Sequence, residues 1–580
     1  MLRHTSGTGN GESRSSESQP LLSLLSQPKS NVHERVASIC LLPRYFCITS
    51  KAALLILFWT VLVGGLYTSV MGVVHYLVLY TLSLVYTNVS FPYMVLYFFV
   101  ALLYMFYPLN GFLADVYCGR YRTVTFSLCI VLCSLVIFLI NYAVLYYIPL
   151  PSGWTYLLIS VCGFSLFTLI LGVAGYGANF IQFGLDQLME APSQHQALFV
   201  HWAKWSYDLL SVVILGFFAY YSCTLDSFPV SSVFILPLFF CVFVLFLLLI
   251  FGCWKHHWFY SQTGQHNPLK VVAKVLNFAR KHKYPLQRSA FTYCDDERPS
   301  RLDFGKQRFG GPFTTEQVED VKTFLRIMVV LLSIGPAFVM DVPTSIIAFI
   351  FIGKHITSNE LEQFCGQWKW ILMDSGLLRC IFRAFFLPVY IWINFTLFQK
   401  CVPRILFRIG LGITIYILGI ISIVVVDVAG HVNYQRNDTR CVFNLLSVND
   451  SWRNDPVPVF SVPGLESSLL ITVPDLTMHW SVLIPSNIFL GIGPTLVTAT
   501  TYEFISAQSP HSMKGLILGT FFAITGVFEF FGSIMFAPFT SRMIWTNEHA
   551  PVISCFASYL IIICVVALIG LVLFLSLIHI

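Results

Sequence analysis

The sequence predicts an all-α membrane protein: twelve spanning helices in two six-helix bundles around a central cavity. Three observations carry this. Of 580 residues, 56% are hydrophobic and only 11% are charged, against about 25% charged in soluble domains. The apolar residues fall into twelve runs long enough to cross a bilayer. Lysines and arginines gather in alternate connections between those runs, as the positive-inside rule requires.

Residues 1–48 are polar and serine-rich without a signal-peptide pattern, which predicts a disordered cytosolic tail. The first bundle is expected over 49–253, with runs at about 52–81, 92–114, 123–147, 155–179, 197–222 and 231–253. Residues 254–323 read as a cytosolic linker. The second bundle, 324–580, holds runs at about 324–353, 375–398, 404–428, 479–505, 515–540 and 552–577, with a luminal loop at 429–478. In lipid each run must satisfy its own backbone, so each is expected to be a helix. Within the linker, 267–284 has the pattern of a short basic amphipathic helix on the membrane surface; a solvated linker is the alternative.

The linker carries Lys255, Lys270, Lys274, Arg280, Lys281, Lys283, Arg288, Arg298, Arg301, Lys306, Arg308 and Lys322. Arg120 and Arg122 follow the second run, and Lys400 and Arg404 follow the eighth. Alternation puts all of them, and both termini, in the cytosol. The sequons at Asn88, Asn437 and Asn449 then fall on the other side, where glycans are added. The sequon at Asn394 lies inside the eighth run and should stay unmodified.

Several function classes fall away. No Walker loop, HExxH spacing or nucleophile elbow occurs, so no enzyme, cofactor or metal is expected. The net charge of +6 reads as loop charge for topology, not as a nucleic-acid surface. The 16 cysteines fall mostly inside apolar runs and read as small buried hydrophobes. Six spans, a basic linker and six more spans is the layout of a two-lobed carrier, which holds a small polar solute between its lobes.

The charges inside the spans are the candidate site. "FVHWAKWSYDLLSVV", 199–213, places His201, Lys204 and Asp208 within an arc of about 60° on the fifth span. An ionised group there costs about 2.5–3.5 kcal/mol unless paired or wet. One reading is a self-neutralised Lys204–Asp208 structural pair. The other is a polar site in which His201 and Asp208 exchange protons and Lys204 or Asp208 meets substrate. Asp341 lies in the seventh span, two residues before Pro343, which should loosen the helix. Arg379 and Arg383 share a face of the eighth, so an Asp341–Arg383 bridge, or an anion-binding or gating role, is expected. Glu503, near the cytosolic end of the tenth, is a gate, a cap or a solvated end residue. His75 reads as packing. Trp202 and Trp205 wall the cavity or pack the core.

"NGFLADVYCGRYRT", 110–123, resembles the loop between the second and third spans of the major facilitator superfamily. Gly111 would permit close helix approach, and Asp115 would sit near a neighbouring helix amino terminus. Gly119 completes the spacing, while Arg120 and Arg122 would hold the loop at the cytosolic surface. "NFIQFGLDQL" (179–188), "FVHWAKWSYDLLS" (199–211) and "YEFISAQSPHSMKG" (502–515) resemble motifs of the proton-dependent oligopeptide transporter family. "GGPFTTEQVEDVK" (310–322) resembles its animal peptide/histidine branch.

The resemblance implies a major facilitator fold moving di/tripeptides or histidine by alternating access, with protons as possible partners. It implies that the fifth-span arc faces the cavity and that Lys204, Asp208, His201, Trp205 and Asn179 meet the solute. Asp208, His201, Asp341, Arg383 and Glu503 would couple protons or gate. The branch resembles endolysosomal carriers; Glu17, Leu21 and Leu22 form an acidic dileucine pattern that sorting adaptors would read there. The plasma membrane is the other address.

The sequence also departs from the family. Its first-span acidic and basic coupling positions fall at Val63, Leu66 and Tyr67. A fourth-span Lys falls at Gly177, a tenth-span Glu at Pro494 and a second-span His at Tyr97. Losing charged contacts at both ends of a dipeptide removes about 1.5–3 kcal/mol each. The alternatives are a proton-independent carrier of another organic solute, or a transport-inactive sensor or scaffold with a carrier fold.

Overall fold

The computed structural model describes residues 50–85, 90–147, 152–224, 230–260, 267–282, 300–341, 377–394, 403–436, 482, 484–540 and 555–579. The tail with Glu17, Leu21 and Leu22, the sequons at Asn88, Asn437 and Asn449, and Pro343 lie outside the described residues, as does the His75 side chain.

The first half comprises α1 (Lys51–Val85), α2 (Ser90–Leu113), α3 (Arg120–Tyr147), α4 (Ser152–Asp186), α5 (Ser193–Thr224) and α6 (Val230–Trp254). A linker helix, α7 (Pro268–Lys281), follows. The second half comprises α8 (Thr315–Ile334), α9 (Leu377–Trp392), α10 (Ile405–Arg436), α11 (Ile484–Gln508), α12 (Lys514–Thr540) and α13 (Cys555–His579). Each apolar run read from the sequence therefore meets one described helix. Ten of these are long and apolar enough to cross a membrane, and the Leu238–Trp254 part of α6 is a shorter apolar helix. The fold is an all-helical two-bundle carrier fold.

α2 packs along α12, and α5 along α9, so each seam joins the two halves of the chain. Small residues make the α2–α12 seam close. A Cβ on Gly111 would lie 2.2 Å from the Gly515 carbonyl oxygen, and one on Gly519 would lie 2.5 Å from that of Tyr107. Only glycine admits backbone contact this tight.

α8 does not run regularly to Asp341. It passes into a tighter 3-10 segment, Gly335–Met340, with Pro336 near its start. The loosening expected from Pro343 thus begins before Asp341, where Pro336 removes a backbone donor.

The linker is built, not loose. Asn267 caps α7 by accepting from Lys270 N, and Pro268 opens the helix. Val272 and Val275 are buried where α7 meets α8 and the turn at 303–305. The apolar face expected to lie on lipid therefore faces protein instead. Phe278 meets Phe313 edge to face at 5.9 Å. Asp303 receives Lys306 at 2.6 Å and Lys322 at 2.5 Å, and Ser300 donates to it from both backbone and hydroxyl.

Burial pushes the Asp303 carboxyl up, but hydrogen bonds from Lys306, Lys322 and Ser300 outweigh it and hold it well below the usual carboxylate range. A depressed native value means stability present above about pH 4 and lost only as pH falls through the native value. Asp303→Asn should therefore raise amide exchange across 300–314 about tenfold at pH 7, after discounting for solvent screening. The unsubstituted segment should keep its protection down to pH 4. Equal exchange in both proteins would show that the cluster does not hold the linker.

Candidate functional site

α5 lines the interface between the halves. Lys204 Nζ donates to both Asp208 oxygens, at 2.7 and 2.8 Å. Each side chain is 13% exposed, so the pair faces neither open water nor a fully closed core. The Lys204 ammonium lies 5.7 Å from the Tyr207 ring centre. Asp208 is within electrostatic reach of Tyr502 on α11 and of Arg383 on α9. The pair therefore points toward the other half of the chain.

Aromatic rings wall this region. Tyr67 and Tyr207 lie 6.1 Å apart, Tyr107 and Phe522 4.5 Å, and Tyr502 and Phe522 5.8 Å. Asp341 accepts a hydrogen bond from the Tyr416 hydroxyl. Arg383, Arg379 and Lys204 all act on Asp341 electrostatically. The buried Nε of Arg383 has no hydrogen-bond partner among the described residues. Side chains from α5, from α9 and from Asp341, just past the 3-10 segment, thus share one electrostatic neighbourhood.

Two ionic clusters bridge the helices at one end of this interface. Both lie at the linker end, where α6 leaves and α8 begins. In the first, Glu503 on α11 accepts from Arg408 on α10 at 2.9 Å and meets His201 Nε2 on α5 at 3.1 Å. Arg408 also donates to the Tyr390 hydroxyl at 2.6 Å. Trp205 donates from its indole to the Ala384 carbonyl on α9 at 2.9 Å, and Trp202 packs edge-on against it.

Two sequence expectations change here. Glu503 is not a solvated end residue: two cationic or titratable partners hold it. His201 does not meet Asp208, because two helical turns separate them and each has another partner. Trp205 ties α5 to α9.

The second cluster centres on Arg120. Its Nη1 donates to both Asp186 oxygens, at 2.7 and 2.8 Å, and its Nη2 and Nε donate to Asp115 Oδ1, at 3.0 and 3.2 Å. Asp115 Oδ2 in turn accepts from the Leu516 backbone N–H at 3.0 Å, at the amino terminus of α12. That terminus favours negative charge. Asp115 lies in a five-residue π segment, Ala114–Cys118, which Gly119 at φ 77° joins to Arg120. A side chain there would strain the backbone, so Gly119 sets the reach of Arg120.

Arg120 is buried, contrary to the expected surface role, whereas Arg122 is exposed. Asn179 is also corrected. It is 0% exposed, donates to the Gly175 carbonyl at 2.9 Å and packs beside Gly515. It is a packing residue of the closed end, not a chamber wall.

The departures from the family pattern are structurally absorbed. Val63 and Leu66 are core residues. The Tyr107 ring lies 2.4 Å from where a Cβ on Gly177 would sit, which leaves no room for a lysine. Pro494 is buried within α11.

Sequence reading missed Asp186, Arg408 and Glu529. Asp186 stood in a quoted motif without a role. Arg408 fell within the ninth run, 404–428, and drew no reading. Glu529, buried near the middle of α12, was a lone acid in an apolar run; that signal was available.

Two helical halves that meet along α2–α12 and α5–α9, with charged side chains between them, define a two-lobed membrane fold. No family model matches the chain. Solute carrier family 15 member 3 of mouse is 23% identical over 477 residues, 75% of this chain and 74% of that protein. Protein NRT1/PTR family 5.14 of Arabidopsis thaliana is 23% identical over 460 residues, 74% of each chain. The crystal structure of the POT family transporter PepTSo matches with a TM-score of 0.58 at 15% identity, covering 92% of this chain and 98% of that one. A POT family transporter in complex with 5-aminolevulinic acid matches with a TM-score of 0.54 at 12% identity, over 91% and 96%. The chain therefore shares the helical fold of the POT family transporters and is similar over 75% of its length to solute carrier family 15 member 3.

Proposed function

We propose that the protein is a secondary-active carrier that moves a small polar solute, a di- or tripeptide or histidine, by alternating access. The observation that carries this is the position of the Lys204–Asp208 pair, half-buried between the lobes beside Arg383, with both ionic clusters at one end. Rocking the lobes would break His201–Glu503 and the Asp115–Leu516 contact, and open the chamber at the linker end. Related proteins named as peptide transporters support the solute class.

Proton coupling would run through groups other than the family's first-span set, since Val63 and Leu66 pack the core. Those same two residues favour a second reading, a carrier that runs without protons. The protein would sit in an endolysosomal or plasma membrane with both termini cytosolic. Asn88, Asn437 and Asn449 would carry glycans, and Glu17, Leu21 and Leu22 would engage sorting adaptors.

Uptake into proteoliposomes of labelled alanyl-alanine and of histidine, with and without an inward proton gradient, tests both readings. Gradient-stimulated accumulation is the expected result. Uptake that only equilibrates supports the proton-independent carrier. No uptake from a broad solute panel would remove the carrier reading and leave a scaffold.

A further inference from the structure

The turn that leaves α6 is set firmly in place. Phe259 is buried and stacks on Trp59 at 5.6 Å and on Tyr121 at 5.3 Å. The Tyr260 backbone exchanges two hydrogen bonds with the Gln187 side chain, at 2.8 and 3.0 Å. These anchors hold Lys255, His256 and His257 at the rim of the first bundle. A Cβ on Gly252 would lie 2.5 Å from the Trp59 ring, so α1 and α6 are in close contact there.

Two ammonium groups meet one ring at this rim. Lys51, at the start of α1, lies 5.8 Å from the Trp258 ring centre, and Lys255 lies 5.7 Å from it. Lys255 also lies 4.4 Å from the Trp254 ring centre. Neither lysine has an ion pair among the described residues, unlike Lys204, Lys306 and Lys322. Indole faces suit ammonium groups at a water–lipid boundary but do not neutralise them. Two like charges therefore stand together with their donors open to an anion.

Apolar stripes run inward from both lysines. Leu54 and Phe58 follow Lys51 at helical spacing and are exposed, as are Ile250, Leu247 and Phe243 on the Trp254 face of α6. Paired cations above two adjacent apolar faces match one kind of molecule: a charged headgroup at the boundary with acyl chains beneath it. A soluble anion would use the lysines alone.

We propose that the linker-side ends of α1 and α6 form a binding site for an anionic phospholipid. Lys51 and Lys255 take the headgroup oxygens, and the exposed faces of the two helices take the acyl chains. His256 and His257, exposed in the same turn, supply further donors. The site lies outside the chamber, so it stands or falls separately from the solute that is carried.

The test is native mass spectrometry of the full chain, titrated with phosphatidylglycerol and with phosphatidylcholine. Phosphatidylglycerol should bind more tightly. Lys51→Gln or Lys255→Gln should weaken it about fivefold, and the two together about twentyfold or more. Phosphatidylcholine binding should not change. Lys270→Gln with Lys274→Gln, at exposed cations of α7, is the control for diffuse charge. An equal loss in that control, or unchanged affinity in the Lys51 and Lys255 double variant, overturns the proposal. Displacement of the lipid by soluble glycerophosphate at matched concentration overturns it too, in favour of a plain anion site. Should the double variant not fold, a phosphatidylglycerol with a photoreactive headgroup decides the matter on the unsubstituted protein. Labelling within 51–58 or 243–258 supports the site, and labelling only elsewhere refutes it.

Discussion

Replacing Arg120 with Met should destabilise the folded protein by about 3–5 kcal/mol, because it strands two buried acids. Asp186 and Asp115 both lose their ion-pair partner. Arg120→Lys should recover only part of that loss, since one ammonium cannot span both carboxylates as the planar fork does. Adding Asp115→Asn and Asp186→Asn to Arg120→Met should recover most of it, as neutral amides cost far less to bury than unpaired acids. Thermal unfolding in one detergent, for all four proteins, reads out the series. If Arg120→Met unfolds within about 1 kcal/mol of the starting protein, the cluster is wetter and weaker than its burial indicates.

The largest functional effect should come from the middle of α5. Lys204→Met leaves Asp208 without its ion-pair partner, and Asp208→Asn does the reverse. Either change removes one charged contact from the chamber, and such a contact is worth about 1.5–3 kcal/mol. Uptake of labelled alanyl-alanine should therefore fall about ten- to a hundredfold at substrate levels below saturation. The double variant is the informative one. It should unfold like the starting protein, because a buried pair replaced as a unit costs little, yet its uptake should stay low. Restored uptake in the double variant would make the pair a structural neutralisation and nothing more.

The fold was legible because lipid leaves the chain so few options. Runs such as 123–147 and 515–540 had to be helices, and α3 and α12 begin and end within a few residues of them. The fifth-span pair was legible for the same reason: charges four apart on a helix in lipid neutralise each other, and Lys204 and Asp208 do. What failed was reach across space. Spacing put His201 on the face of Asp208, but could not show that Glu503, 302 residues later, lies closer. Arg120 read as a surface charge because nothing local marks its burial. Its partners are Asp186, 66 residues away, and Asp115, which is itself fixed by a helix terminus 401 residues on. Asn179 sat in a matching motif, and only its packing against Gly515 shows it to be part of a closure.

The bare backbone contacts at Gly111 and Gly519 have a mechanical consequence. At those two points backbone meets backbone without an intervening side chain, as in a plain bearing, while rings such as Tyr107 and Phe522 mesh between them. A single bulky substituent on that track would act as a brake, slowing turnover while leaving the affinity of either resting state almost untouched.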